Sequence, residues 1–304
     1  MSQPRAGRVA IVGRPNVGKS TLLNTLLRQK LAITTPRPGT TRSCLLGVYT
    51  HDEPPTQIAF IDTPGLERPR SVLGRVLVEE AQGSLETADV ILVMVDGTRG
   101  GPGGDPMHPA DVDVIEQVMK VDKPVVLAIN KVDQIKPKEK LLPTLAAWDE
   151  RFDFAALVPV SALKRANIRP LVHELRALLP EGVLYDEDVL TDKPERFFAA
   201  ELVREAILTQ TRQEVPYGAA VQIEKWSEDE KITRIAAIIH VDRPSHKGII
   251  IGAGGSRLKE IGTAARLEIE ALLGRKVFIE LWVKVDEGWT KDAAKVRRLT
   301  REPE

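Results

Sequence analysis

Unbroken apolar runs recur along the first part of the chain, and each delivers a polar or glycine-rich motif at its end. Val9-Ala10-Ile11-Val12 runs into Gly13–Thr21, after which Leu22, Leu23, Leu26 and Leu27 recur at helical spacing. Ile58–Ile61, Val90–Val95 and Val125–Ile129 repeat the pattern, and a shorter run ends at Val160. Helical periodicity covers Asp111–Val121, and Leu171, Leu175, Leu178 and Leu179 close the region before Pro180-Glu181-Gly182. Strands alternating with helices predict an α/β domain with a mainly parallel sheet covered on both faces.

The pattern then changes. A helix over Phe197–Leu208 precedes two strand-like runs, Ala219–Glu224 and Thr233–His240, split by the charged turn Ser227–Glu230. After the triplet Ile249–Ile251 comes a helix with Ala265, Ile269, Leu272 and Leu273 on one face, and last a strand, Val277–Val285. Trp282 alternates with its neighbours there and reads as a core residue. The expected division is 1–181 as the first domain, 182–196 as an acidic, proline-bounded linker, 197–289 as a smaller α+β domain and 290–304 as a basic tail. Lys295, Arg297, Arg298 and Arg301 place that tail on a short basic helix.

Composition narrows the class. With 304 residues, 42% apolar and 28% charged, the chain is globular and long enough for about two domains. No apolar run approaches the ~18 residues of a membrane span, and no signal-type segment precedes the first strand. A soluble, cytoplasmic protein is expected. Cys44 is the single cysteine, so no internal disulfide forms. The absence of heptads favours a monomer. The net charge of zero hides a partition: residues 1–180 carry 23 Lys+Arg against 20 Asp+Glu, residues 181–230 carry 5 against 13, and residues 231–304 carry 15 against 10. A basic end after an acidic connector suits a phosphate-rich partner.

The motif Gly13-Arg14-Pro15-Asn16-Val17-Gly18-Lys19-Ser20-Thr21 has the spacing of a phosphate loop. Its glycines let backbone N–H groups curl around phosphate oxygens at a helix N-terminus, Lys19 reaches the β- and γ-phosphates, and Ser20 offers a hydroxyl to Mg²⁺. The Pro-, Gly- and Thr-rich stretch Thr34–Arg42 reads as a mobile loop in which Thr40 or Thr41, with Thr41 favoured, completes the metal shell. Asp62-Thr63-Pro64-Gly65 ends a strand, with Asp62 suited to an outer-shell Mg²⁺ role and Gly65 to sensing the γ-phosphate. Leu66 stands where Ras-like enzymes place a water-orienting glutamine, so intrinsic hydrolysis is expected to be slow. Asn130-Lys131-Val132-Asp133 selects guanine, because the Asp133 carboxylate accepts from N1–H and the exocyclic amine, donors that adenine does not offer on that edge. Ser161-Ala162 completes the base pocket through a backbone N–H. Catalysis is assigned to Lys19, Thr41 and Gly65, with no protein base.

In the second domain, Gly252-Ala253-Gly254-Gly255 forms a G-x-x-G loop able to bring backbone N–H groups against a nucleic-acid backbone. Lys247, Gly248, Ile251, Arg257 and Lys259 flank it, and Arg266 and Lys284 add charge.

Taken together, GRPNVGKST, PGTTR, DTPG, NKVD and SALK, followed by IIIGAGGSRLKEIGTAAR and FIELWVKV, resemble the Era-type family of bacterial GTPases with a C-terminal type 2 KH domain. The resemblance covers nearly the whole chain. It implies a GTP/GDP switch that binds small-subunit ribosomal RNA near its 3′ end and assists assembly of that subunit, with peripheral contact at the inner face of the membrane. Asn16 matches an asparagine that in similar GTPases helps hold K⁺. Ala253 departs from the basic residue usual in such loops. The rival expectation is a GTP-dependent protein or membrane adaptor whose second domain does not bind RNA.

Overall fold

The computed structural model describes residues 3–66, 69, 71–99, 105–186, 188–211, 215 and 217–300. Gly100–Gly104, Glu187 of the connector and Arg301 of the tail lie outside them. Two compact units are present: Met1–Ala32, Pro38–Arg68 and Leu77–Asp192 form the first, and Ile33–Arg37, Pro69–Val76 and Lys193–Glu304 the second.

The first unit holds strands β1 (Arg5–Gly13), β2 (Leu45–His51), β3 (Thr56–Asp62), β4 (Val90–Asp96), β5 (Val125–Asn130) and β6 (Ala156–Pro159) in one sheet, ordered β2-β3-β1-β4-β5-β6. All pairings are parallel except β2 with β3. Every residue of β3, β4 and β5 is buried, as expected for strands covered on both faces. Helices α1 (Lys19–Leu27), α2 (Val72–Thr87), α3 (Pro109–Val118), α4 (Leu142–Arg151) and α5 (Ile168–Leu178) fill the connections. Sequence periodicity missed β2, α2 and α4. β2 is an edge strand with exposed positions, and Gly74 and Gly83 break up the apolar spacing of α2. The chain leaves β1 toward β3 on one side and β4 on the other, so the loop after β1 sits at the point where the strand order reverses and open α/β sheets bind their ligands.

The stretch read as linker is docked rather than loose at Leu184, Tyr185, Leu190 and Thr191. Leu184 and Tyr185 donate their backbone N–H groups to Gln57 Oε1 at 2.9 and 2.8 Å, Val48 N–H donates to Leu190 O at 2.8 Å, and Thr191 Oγ1 donates to Leu46 O at 2.7 Å.

The second unit is an α+β fold with the order α6 (Glu195–Gln210), β7 (Ala219–Glu228), β8 (Ile232–Val241), α7 (Pro244–Ile251), α8 (Ser256–Leu273), β9 (Lys276–Val285) and α9 (Ala293–Thr300). β8 pairs antiparallel with β7 and parallel with β9. The triplet Ile249–Ile251 ends helix α7. One sheet face, carrying Ile235, Ala237, Ile239, Val277 and Ile279, packs on Ala199, Val203 and Ile207 of α6 and Ile261, Ala265 and Ile269 of α8. Trp282 corrects the sequence reading: it is 48% exposed, whereas Trp289 is fully buried and donates Nε1–H to Gly218 O at 3.0 Å. Along β9 the odd-numbered aliphatic residues fill the core, and Trp282 shares the opposite face with Phe278, Glu280 and Lys284. The tail helix is anchored, with Val296 and Leu299 buried against Trp289 and Ala220.

Among the described residues, no helix is long and apolar enough to cross a membrane.

Candidate nucleotide site and nucleic-acid interface

The loop after β1 takes its shape from backbone that only glycine and a few polar residues adopt easily. Gly13 and Gly18 have φ of 149° and 110°, and Asn16 has φ of 64°. No side chain fits at either glycine: a Cβ on Gly13 would lie 2.3 Å from Met94 O, and one on Gly18 would lie 2.2 Å from Asn130 Nδ2. Lys19, 6% exposed, donates to Gly13 O and Arg14 O, both at 3.1 Å, which holds its ammonium over the loop. Arg14 is tied down by two bonds to Asp111 of α3, at 2.5 and 2.7 Å. The remaining loop residues Pro15, Val17 and Thr21 contribute backbone, with Val17 buried below.

Three oxygen-bearing side chains converge beside Lys19. Ser20 Oγ donates to Asp62 Oδ2 at 2.6 Å and lies 3.1 Å from Thr41 Oγ1, so the structure puts Thr41, and not the buried Thr40, beside the other two. Asp62 is fully buried, and its Oδ1 has no hydrogen-bond partner among the described residues. Burial pushes its carboxyl up to about 6, against the opposing pull of Lys19, Ser20 and Thr41. An orphaned carboxylate oxygen beside two hydroxyls is a hard-oxygen donor set that suits Mg²⁺.

Thr63 Oγ1 donates to Ile11 O at 2.8 Å and fixes the strand end, and Pro64 leads into Gly65. A Cβ on Gly65 would be 2.9 Å from Pro15 Cδ, so glycine lets this turn lie against the phosphate loop. Leu66 is 2% exposed with its side chain in the core beside Val12 and Ile91, which leaves only its backbone for the site.

The base end is joined to the phosphate end by Asn130. Its Nδ2 donates to Val17 O at 2.7 Å, and its Oδ1 accepts from Ala162 N–H at 2.9 Å. Lys131, with φ of 67°, donates to Asn16 O at 2.8 Å and to Asp96 Oδ2 at 2.7 Å. Burial would raise the Asp96 carboxyl, but bonds from Lys131 and Thr98 outweigh it and hold it below the usual carboxylate range. Asp133 Oδ1 accepts from Ser161 Oγ at 2.6 Å, which orients the carboxylate, while Val132 is buried beneath. Sequence reading missed Asp96 and Asp111. Asp96 ends the buried apolar strand β4 as Asp62 ends β3, which was a usable signal, whereas the Arg14–Asp111 pair joins residues far apart in the chain.

In the second unit, α7 ends at Gly252, whose φ of 73° turns the chain, and Gly254 and Gly255 continue at φ of 58° and 83° before α8 begins. Ala253 and Gly254 are exposed, as are Lys247, Gly248 and Lys259, while Ile251 is half-buried. Arg257 is partly occupied within the protein: its Nη1 donates to Ile249 O at 2.6 Å and caps α7. A groove of about 470 Å³ runs beside the loop between α8 and β9, lined by Gly255, Leu258, Lys259, Gly262, Arg266 and Phe278 among others.

Two family models match the chain. Residues 8–131 match the family described as 50S ribosome-binding GTPase, and residues 214–290 match the KH domain. GTPase Era of Nitratidesulfovibrio vulgaris is 44% identical over 301 residues, covering 98% of this chain and 97% of that protein. A crystal structure of Era in complex with MgGDPNP and nucleotides 1506–1542 of 16S ribosomal RNA superposes with a TM-score of 0.92 at 45% identity, covering 97% of this chain and 98% of the other. A variant of Aquifex aeolicus Era bound to GDP and AlF₄⁻ gives 0.91, also at 45% identity, covering the same shares. With a guanine-selective phosphate-loop unit followed by a KH unit along its length, this chain belongs to the Era family of GTPases.

Proposed function

We propose that the chain is a GTP-dependent switch that binds the 3′ end of small-subunit ribosomal RNA through its G-x-x-G loop and assists assembly of the small ribosomal subunit. The observation that carries this reading is the pairing of a preorganised GTP site with an exposed G-x-x-G loop whose backbone turns outward at three positive-φ glycines. The similar Era structure, bound to MgGDPNP and 16S ribosomal RNA, supports it.

Lys19, the loop N–H groups and the N-terminal end of α1 offset phosphate charge, and Asp133 accepts from guanine. Mg²⁺, held by Ser20 and Thr41 with Asp62 behind them, supplies charge neutralisation between the β- and γ-phosphates when bound. Because Leu66 is buried, no side chain at that position orients water, and intrinsic hydrolysis is slow. Asn16 would be the residue that holds K⁺, whose charge would help offset that of the phosphates, and equal hydrolysis in K⁺ and Na⁺ removes that part of the reading.

Two segments next to the nucleotide motifs in the chain pack as part of the second unit. Segments Ile33–Arg37 and Pro69–Val76, which flank Thr41 and Gly65 in sequence, are built into the second unit. There Ile33 is buried among Ala199, Val203 and Ile207, Thr34 N–H donates to Glu205 Oε1 at 3.0 Å, and Arg37 donates to Thr211 O.

The test is binding of a labelled RNA copying the 3′ end of small-subunit ribosomal RNA, with the protein loaded with a non-hydrolysable GTP analogue or with GDP. Tighter binding with the analogue is expected. The Ala253→Asp, Gly254→Asp pair abolishes RNA binding and spares GTP hydrolysis; both positions are exposed, a Cβ on Gly254 meets nothing within 4 Å, and aspartate tolerates its backbone. RNA binding that survives the pair, or that ignores the nucleotide, overturns the loop or the switch respectively.

A further inference from the structure

The KH unit has a second surface of chemical interest, the sheet face turned away from α6 and α8. The register places Arg234 opposite Phe278, Ala236 opposite Glu280 and Ile238 opposite Trp282, all on that face. Phe278 and Trp282 are 45% and 48% exposed, and the Arg234 guanidinium lies 5.8 Å from the Phe278 ring centroid. Lys225, Arg234 and Lys284 rim the patch with exposed cationic side chains, and Glu280 is an acid among them. One end of the same face is closed: Ala220 is buried under Trp289, Val296 and Leu299, and Gln222 Nε2 donates to Arg298 O at 3.1 Å. The aromatic end is open.

Phe278 also lines the groove beside the G-x-x-G loop, so groove and open face meet at the β9 edge. We propose that this face is a stacking platform for single-stranded RNA, on which a strand leaving the groove crosses the β9 edge and lays successive bases on Phe278 and Trp282. The proposal rests on the RNA-binding reading above and adds to it a second site. Aromatic rings on an open sheet bind unpaired bases by their π-faces, and flanking cations hold the phosphates, a combination suited to RNA and not to an apolar protein partner. Continuity with the groove sets the occupant as the same RNA chain.

The experiment titrates labelled RNAs copying the 3′ end of small-subunit ribosomal RNA, shortened stepwise from either end to the roughly four nucleotides that a G-x-x-G loop grips. The full-length wild-type protein gains affinity as the RNA lengthens at one end. Trp282→Ala removes about tenfold of that gain and leaves the shortest bound RNA unaffected, whereas Trp282→Phe keeps most of it; Phe278→Ala, which also alters the groove lining, removes a similar share of the gain and weakens the shortest RNA as well. Arg234→Glu lowers the salt dependence on the long RNA by about one contact. The Ala253→Asp, Gly254→Asp pair weakens every RNA.

Wild-type binding with no loss in the aromatic variants overturns the platform while leaving the loop reading intact. Equal loss on short and long RNAs in the Trp282→Ala protein does the same, as does a ribosomal protein whose binding depends on Trp282 when RNA binding does not. Absence of RNA binding by the wild type overturns both readings.

Discussion

Replacing Asn130 by alanine removes one side chain that joins the two ends of the nucleotide site without being free to contact nucleotide through either of these bonded atoms. Its amide donates to Val17 O and accepts from Ala162 N–H, and Asn130, Val17 and Ala162 are 3%, 1% and 1% exposed. Water does not reach the two groups left behind. A buried backbone group stripped of its partner costs about 1–3 kcal/mol, so two of them cost about 4 kcal/mol in the middle of the range. With a urea slope of about 3 kcal/mol per molar, the first unit's midpoint falls by about 1 M or more. Fluorescent-nucleotide titration gives the second readout. Because the lost bonds lie within the protein and serve both nucleotides, GTP and GDP weaken together, by tenfold or more, the equivalent of about 1.4 kcal/mol recovered from the damage. Asn130→Asp keeps the acceptor for Ala162 and sets an oxygen against Val17 O, so its loss is at least as large. An Asn130→Ala protein with an unchanged midpoint and with both affinities within about twofold of wild type would refute the reasoning.

Asp133→Asn removes the carboxylate acceptor for two guanine donors, and at about 1.5–3 kcal/mol each GTP affinity falls by roughly 10²–10⁴, measured by competition titration. Arg14→Ala leaves the buried Asp111 charge uncompensated and destabilises the first unit by about 3–5 kcal/mol, most of which returns in the Arg14→Ala, Asp111→Ala double variant. Burial already raises the Asp111 carboxyl, so the single variant's deficit is small at low pH, where the unfolded carboxyl is also protonated, and grows as pH rises through the folded value; denaturation between pH 4 and 8 reads it. In the KH unit, burial holds His240 below its ordinary value, helped by Lys284 and Arg298 and opposed by Asp286, which accepts from it at 2.7 Å. Its folded form is therefore the neutral one: the stability it contributes is present above about pH 6.5 and is lost as pH falls through the folded value, a slope that His240→Gln flattens.

The phosphate loop, Asp62–Gly65, Asn130–Asp133 and Ser161–Ala162 were legible because each follows a buried apolar run whose end fixes where the motif must sit. What stayed hidden depended on partners distant in the chain. Nothing near Asp111 marks it as the anchor of Arg14, and β2 has the mixed exposure of an edge strand instead of a clean period. Trp282 was misread because β9 carries apolar side chains on both faces. Its parity with Glu280 and Lys284 pointed outward, but a tryptophan in an apolar run suggests burial. The linker shows the same limit, since its acidic composition is that of a solvated tether while its backbone bonds to β2 and its neighbour's Gln57 follow from position alone.

Those bonds bear on how the first unit behaves by itself. β2 is the outermost strand of the sheet, and on its outward side Leu46 O and Val48 N–H are already taken by Thr191 and Leu190. A strand with outer groups taken up within its own chain offers a poorer template to another molecule. A fragment cut after Pro180 uncovers that edge and invites strand-to-strand self-association, whereas one extended to Asp192 carries its own cover. The acidic connector is thus the seal on the sheet, and light scattering of the two fragments distinguishes a sealed edge from an open one.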